Sequence, residues 1–194
     1  MTASLTPVRV PEYAIAGGEA YTNDLKLAGY ANGHMPSDRM MTVDGCTLER
    51  DAAYLYSKMV DAAKEDGIRL GWEDCYRSYN TQASAYERRC PYVQTGTQKT
   101  RECKGAPLAP AGASNHGWGR AVDFTNHHDT VLGCHDIEYE WLQNNAYRFG
   151  WVHPDWAECG RKSQEPWHWE YAGVIDRTLV RFVTIDPNLV ANLE

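Results

Sequence analysis

Apolar residues Ala52, Leu55, Tyr56, Met59, Val60 and Ala63 recur three and four apart, the spacing of one helix face. They predict a core-facing helix that begins near Thr47 and stops at Gly67. Ile68 to Tyr76 then reads as a strand, and Asn80 or Thr81 is placed to cap a short helix carrying Gln82, Ala83 and Tyr86. Further along, Arg120 to Phe124 predicts a short strand. Asp136 predicts the cap of a helix running to about Phe149, with Ile137, Trp141 and Leu142 facing inward. Trp151-Val152 opens another strand, Trp167 to Tyr171 alternates as a strand, and a last helix is expected from Val174 to Val183. Three segments have no period: residues 1 to about 45, with turn chemistry at Asn32-Gly33 and Met35-Pro36-Ser37-Asp38, then 90 to 115 and 155 to 164. Helices and hairpin-like strands without a repeating strand-helix-strand beat imply an α+β domain, a small antiparallel sheet flanked by helices. The expected organisation is a wrapping segment over 1–45, one domain over 46–185 and a tail over 186–194.

Composition fits that outline. At 194 residues, 43% hydrophobic and 23% charged, the chain is long enough for one real core and is neither disordered nor fibrous. Seven Trp and twelve Tyr against three Phe favour rings with a hydrogen-bonding edge, which suit a polymer-holding groove, although ordinary packing accounts for most of them. A formal charge of -7 argues against nucleic acid and anionic membrane as partners, since both need a basic footprint, and no apolar stretch reaches membrane-spanning length.

The six cysteines form no CxxC pair, which argues against a thiolate metal site and for disulfides in an oxidising, extracellular setting; buried free thiols are the alternative. Connectivity is open on spacing alone, but nearness favours Cys90 with Cys103 and Cys134 with Cys159, leaving Cys46 for Cys75. The opening Met-Thr-Ala-Ser-Leu-Thr-Pro has neither a basic start nor an apolar run, so no signal peptide is read there. Either the natural chain starts elsewhere, or the protein leaves its cell without a signal, as a phage lysin or tail component can.

Two motifs carry the chemistry. In Ser114-Asn115-His116-Gly117-Trp118-Gly119-Arg120-Ala121-Val122-Asp123, glycines permit a sharp turn that lets an imidazole and a carboxylate converge, and both are ligands zinc accepts. In Glu165-Pro166-Trp167-His168-Trp169-Glu170-Tyr171, a second imidazole follows a carboxylate by three residues, and Pro166 keeps the segment extended rather than helical. His116, Asp123 and His168 make three zinc ligands with a fourth position left for water, the mark of a catalytic site. Glu165 is the candidate general base, and Arg77 at the strand-helix junction is the candidate for oxyanion stabilisation. Gln82 is a candidate for holding substrate, and Trp118 or Trp156 for stacking on it. The polar cluster His127, His128, Asp129 and His135 reads as loop rather than as a second metal site. His153 either lines the cleft or is structural.

These motifs resemble the LAS metallopeptidases, and within them the VanY-like D-alanyl-D-alanine carboxypeptidases, whose pattern Ser-x-His-x-x-Gly-x-Ala-x-Asp followed by Glu-x-x-His is met at Ser114, His116, Gly119, Ala121, Asp123, Glu165 and His168. The resemblance extends through Asn32-Gly33, Tyr76-Arg77-Ser78 with Gln82, and Gly150-Trp151-Val152-His153-Pro154, about residues 30 to 173. It implies a Hedgehog/DD-peptidase-like zinc peptidase fold and one catalytic Zn2+ on His116, Asp123 and His168. It further implies Glu165 as base, Arg77 on the tetrahedral intermediate, Ser114 and Gln82 on the substrate peptide or its carboxylate, and a peptidoglycan stem peptide as partner. The expected activity is removal of a terminal D-alanine outside the cell, at the cell wall or on a phage virion, alone or within a larger wall-hydrolase assembly. The alternatives are an L-alanyl-D-glutamate or cross-bridge endopeptidase acting as a lysin, and a catalytically silent wall-binding module.

Overall fold

The computed structural model describes residues 25–26, 28–105 and 108–173. The expected last helix, the tail and most of the N-terminal wrapping segment lie outside these residues.

The first strands among the described residues follow a 3-10 turn, Ser37–Arg39, and form a hairpin, β1 (Met40–Val43) with β2 (Cys46–Glu49), joined through Asp44-Gly45. Both turn residues have positive φ, 48° and 85°, the backbone that a two-residue hairpin turn demands. The helix expected from Thr47 therefore starts only at Arg50: α1 spans Arg50–Glu65, and Glu49 caps it by accepting from the Asp51 and Ala52 amides at 3.1 and 3.4 Å. Ala52, Ala53, Tyr56, Met59 and Ala63 form its buried face. Gly67, at φ 77°, ends it where the sequence placed the stop.

The strand read over 68–76 is shorter, β3 (Gly71–Asp74), because Cys75 to Arg77 peel away toward the chemistry. Ser78, earlier than either expected cap, accepts from the Thr81 amide at 3.2 Å and opens α2 (Tyr79–Arg89). The expected loop from residue 90 contains a second hairpin, β4 (Tyr92–Thr95) and β5 (Gln98–Arg101). It has no apolar face to announce it in sequence; Cys90–Cys103 closes its base, and the Arg101 guanidinium lies 4.0 Å from the Tyr92 ring. Then follow β6 (Ala121–Thr125), α3 (Ile137–Asn145), β7 (Trp151–Val152) and β8 (His168–Tyr171). Asp136 precedes α3 without capping it: its carboxylate instead accepts from the Gly133 amide at 2.7 Å and from Asn126 Nδ2 at 3.0 Å. Ile137 opens the helix at the domain surface and is exposed, contrary to its expected inward position, whereas Trp141 and Leu142 are buried.

Strands β3, β6, β8 and β7 lie in that order in one antiparallel sheet, so the domain is α+β, as expected. Alternation divides β6 and β8 between two environments. Val122, Phe124, Trp169 and Tyr171 join the core, where Tyr56 of α1 packs against Phe124 and Trp151 with ring centroids 6.1 and 6.2 Å away. Asp123, His168 and Glu170 take the opposite face. The disulfides are Cys46–Cys75, Cys90–Cys103 and Cys134–Cys159, the pairing that nearness favoured.

Candidate metal centre

His116 stands on a 3-10 turn, Asn115–Trp118, that only glycine permits to close. A Cβ on Gly119 would sit 2.7 Å from the Glu49 amide nitrogen, and one on Gly117 would sit 2.0 Å from Asn32 Oδ1. The His116 ring donates Nδ1–H to the Cys75 carbonyl at 2.7 Å, which turns Nε2 toward Asp123 Oδ1, 3.3 Å away. Asp123 and His168 are direct partners across β6 and β8, with His168 Nδ1 2.9 Å from Asp123 Oδ1. The other His168 nitrogen, Nε2, faces Glu170 Oε1 at 3.0 Å. One ligand atom from each of His116, Asp123 and His168 lies within 4.8 Å of the other two, the only such group among the described residues.

The charges explain why three polar groups are stable in a nearly dry place. Burial pushes the Asp123 carboxyl up, but the His116 and His168 imidazoles together outweigh it and hold the group well below the usual carboxylate range. Burial disfavours the charged form of His168, yet hydrogen bonds to Asp123 and Glu170 prevail and raise it to about 10. A proton thus bridges the pocket where a divalent ion would bridge it, and metal binding must release that proton. Two imidazole nitrogens and one carboxylate oxygen, with the remaining nitrogens already tied to a carbonyl and a carboxylate, are a donor set suited to zinc with an open position.

Glu165 lies beside this group in a cleft of about 710 Å³ that also exposes Arg77, Ser114, Trp118 and Trp156. Burial raises its carboxyl above the ordinary value; Asp123 adds to this, and His168, His116 and Arg89 oppose it. Its backbone is pinned: the amide donates to Ala157 O at 2.8 Å, and the carbonyl accepts from the His168 amide at 2.9 Å and from His153 Nε2–H at 3.1 Å. His153 accepts in turn from Gln143 Nε2 at 3.2 Å and stacks on Trp169 with centroids 4.8 Å apart. Desolvation lowers His153 to about 4, so it is neutral and its place is behind Glu165.

The Arg77 guanidinium is aimed by two partners, Nε to Asp74 Oδ2 at 2.9 Å and Nη1 to Gln82 Oε1 at 2.6 Å. A register shift between Trp72 and Asp74 brings Asp74 opposite Asp123 and within reach of Arg77. Gln82 is buried behind Arg77, its oxygen taken by the guanidinium and its nitrogen donating to the Ala109 carbonyl. Ser114 lines the cleft and its carbonyl accepts from Asn32 Nδ2 at 2.8 Å. Trp118 is mostly buried against Leu25 and Met35. Trp156 is the more open ring, 39% exposed, with its centroid 5.2 Å from that of His168.

The polar cluster read as a loop is one: His127 binds Glu138 Oε1 at 2.7 Å and lies against His128 with the rings tilted at 48°, and Asp129 pairs with Arg69. Two groups at the site were missed from sequence, the Cys75 carbonyl and the Glu170 carboxylate. Glu170 was within reach, since on a strand it shares the face of His168 two residues before it.

A family model described as VanY, D-alanyl-D-alanine carboxypeptidase, matches residues 45–174. Among curated proteins, a D-alanyl-D-alanine carboxypeptidase of Enterococcus faecalis (strain ATCC 700802 / V583) is 30% identical over 122 residues, 60% of this chain and 45% of that protein. The chain spans about half the length of the curated relatives it matches. Among solved structures, VanYB in complex with D-Alanine-D-Alanine superposes with a TM-score of 0.53 at 24% identity over 80% of this chain and 88% of that one. A vancomycin-resistance D,D-pentapeptidase VanY in complex with Zn(II) gives 0.52 at 24% identity, covering 72% and 83%. Both likenesses show the fold.

Proposed function

We propose that this chain, which belongs to the VanY family of D-alanyl-D-alanine carboxypeptidases, is a zinc-dependent carboxypeptidase that removes the terminal D-alanine of peptidoglycan stem peptides. The observation that carries this is the convergence of His116, Asp123 and His168 beside Glu165 inside the family-matched region. Bound there, zinc would supply a Lewis acid and a water whose pKa falls to about 7. Glu165 takes a proton from the attacking water and returns it to the departing amine as the amide bond to D-alanine breaks. Its burial-raised carboxyl suits it to both transfers. Arg77 meets the negative charge that develops on the carbonyl oxygen, its aim fixed by Asp74 and Gln82. Gln82, saturated by Arg77 and Ala109, serves as support for Arg77, and Ser114 remains the candidate contact to the substrate peptide. Trp156 replaces Trp118 as the ring offered to substrate, because it is the more exposed of the two at the cleft.

Three disulfides support a site of action outside the cell, which a wall substrate would require, and no helix among the described residues is long and apolar enough to cross a membrane. No observation favours an endopeptidase, a virion-borne lysin or a silent module. The test is incubation with a purified stem pentapeptide and, separately, with whole sacculi. Free D-alanine from the pentapeptide, abolished by a chelator and restored by zinc, is expected; new internal amino termini from sacculi without free D-alanine would overturn the reading.

A further inference from the structure

We infer that Glu170 is a positioning residue of the metal centre, holding His168 in the tautomer and orientation that present Nδ1 to the ion. The inference rests on the zinc reading above. Glu170 is 3% exposed, a setting in which a carboxylate costs stability unless it is paired. Only half of it is paired: Oε1 accepts from His168 Nε2–H at 3.0 Å, while Oε2 is buried with no hydrogen-bond partner. Its neighbours on the two adjacent strands are Ala121 and Val152, whose side chains offer it no polar group. An apolar residue would fill this position at lower cost, so packing does not explain a carboxylate there. The strand geometry does: two residues apart on β8, His168 and Glu170 share the cleft face. The carboxylate therefore meets the ring nitrogen turned away from Asp123 and makes that nitrogen the donor.

The other imidazole is oriented by a different device. His116 Nδ1–H is held by the Cys75 carbonyl, a neutral acceptor. The two ligands thus have unequal outer partners, and the charged one sits behind His168. A carboxylate on the far nitrogen raises the ligand's basicity as well as fixing its plane, and loss of such a partner weakens metal binding by roughly 10–100-fold.

The experiment measures zinc affinity rather than turnover. Metal-free wild type, Glu170→Ala and Glu170→Gln are titrated with zinc against a chromophoric chelator at fixed pH, with Asp123→Ala as the ligand-loss control. Glu170→Ala is expected to bind roughly 10–100-fold more weakly than wild type. Glu170→Gln is expected in between, because its amide oxygen still accepts from Nε2–H but carries no charge. An affinity for Glu170→Ala within about twofold of wild type, with Asp123→Ala strongly impaired, overturns the inference and leaves the zinc reading standing; a wild type that takes up no zinc overturns both. If Glu170→Ala does not fold, the near-isosteric Glu170→Gln decides by NMR of histidine-labelled, zinc-loaded protein. Its His168 Nε2–H resonance moves upfield of wild type while the His116 Nδ1–H resonance stays in place. An unmoved His168 resonance overturns the inference.

Discussion

Removing the Cys46–Cys75 bridge by joint Cys46→Ala and Cys75→Ala substitution should damage stability and metal binding together, whereas removing Cys90–Cys103 should damage stability alone. Cys46–Cys75 spans 29 residues and Cys90–Cys103 spans 13. Loop-closure entropy assigns about 3.6 and about 2.9 kcal/mol to these bridges, a difference of only about 0.7 kcal/mol. On stability alone the two double variants would look much alike. They differ in what the cysteines hold. Cys75 carries the carbonyl that accepts from His116 Nδ1 at 2.7 Å, and the next residues continue the contact: Tyr76 N donates to Thr47 O at 2.9 Å and Arg77 N to His116 O at 3.1 Å. The bridge thus anchors the segment that orients one metal ligand and delivers the oxyanion residue. Cys90–Cys103 closes the base of the β4–β5 hairpin, and the backbone of Cys90 bonds Tyr86 and Arg101 rather than a proposed metal ligand. Urea unfolding of metal-free protein, followed by tryptophan fluorescence, measures the first effect, and zinc competition measures the second. Both variants should lose a few kcal/mol, and only the Cys46/Cys75 pair should lose about tenfold or more in zinc affinity, the scale expected when a ligand's outer partner is loosened. Equal zinc affinities in the two variants would refute the coupling.

Glu165→Ala should retain zinc by metal analysis yet lose about 10²–10⁴-fold in turnover; unchanged turnover would remove Glu165 from the role of base. Arg77→Ala should lower kcat by about 10²–10³-fold, and Arg77→Lys should recover little of it because an ammonium cannot reach Asp74 and Gln82 in the same fork; steady-state kinetics on a pentapeptide decides, and an unaltered kcat in Arg77→Ala would refute the assignment. His153 gives a pH prediction for the metal-free protein. Its folded pKa is about 4 against 6.5 for an ordinary histidine, so the unfolded chain binds the proton first, and stability present above pH 6.5 is lost as pH falls toward 4. The loss from this group is about 3 kcal/mol, and His153→Phe should flatten that part of the urea-midpoint profile; identical acid slopes in variant and wild type would count against a buried neutral His153.

The convergence of His116, Asp123 and His168 was legible because local rules bring them together. Glycines close the His116 turn, and Pro166 keeps the approach to His168 extended, so both motifs could be read without knowing the rest of the chain. The disulfides were legible for a similar reason, each joining cysteines near in sequence. What escaped reading depends on distant partners. Gln82 reads as a substrate contact in sequence, and only the folded chain brings the Ala109 carbonyl and Arg77 to the two ends of its amide. The β1–β2 hairpin escaped because β1 lies in a segment without period and β2 overlaps the expected helix start at Thr47, although Asp44-Gly45 is turn chemistry. The β4–β5 hairpin has no apolar alternation at all, since a disulfide and Arg101 on Tyr92 do the work a core face would do.

Core and proposed catalytic site are two readings of one alternation. On β6, Val122 and Phe124 enter the core while Asp123 between them turns to the cleft; on β8, Trp169 and Tyr171 do the same around His168 and Glu170. Because the period is two, a slip of one residue in either strand would bury the ligands and expose the aromatics together. The large apolar residues therefore set the register that places Asp123 opposite His168. The metal site inherits its precision from the packing of Phe124 and Trp169 rather than from attraction among its own charged groups. Burial and ligand geometry cannot be varied independently here. Trimming Phe124 to Ala should cost about 3–5 kcal/mol, and it should loosen Asp123 in the same step, although Phe124 itself faces away from the metal.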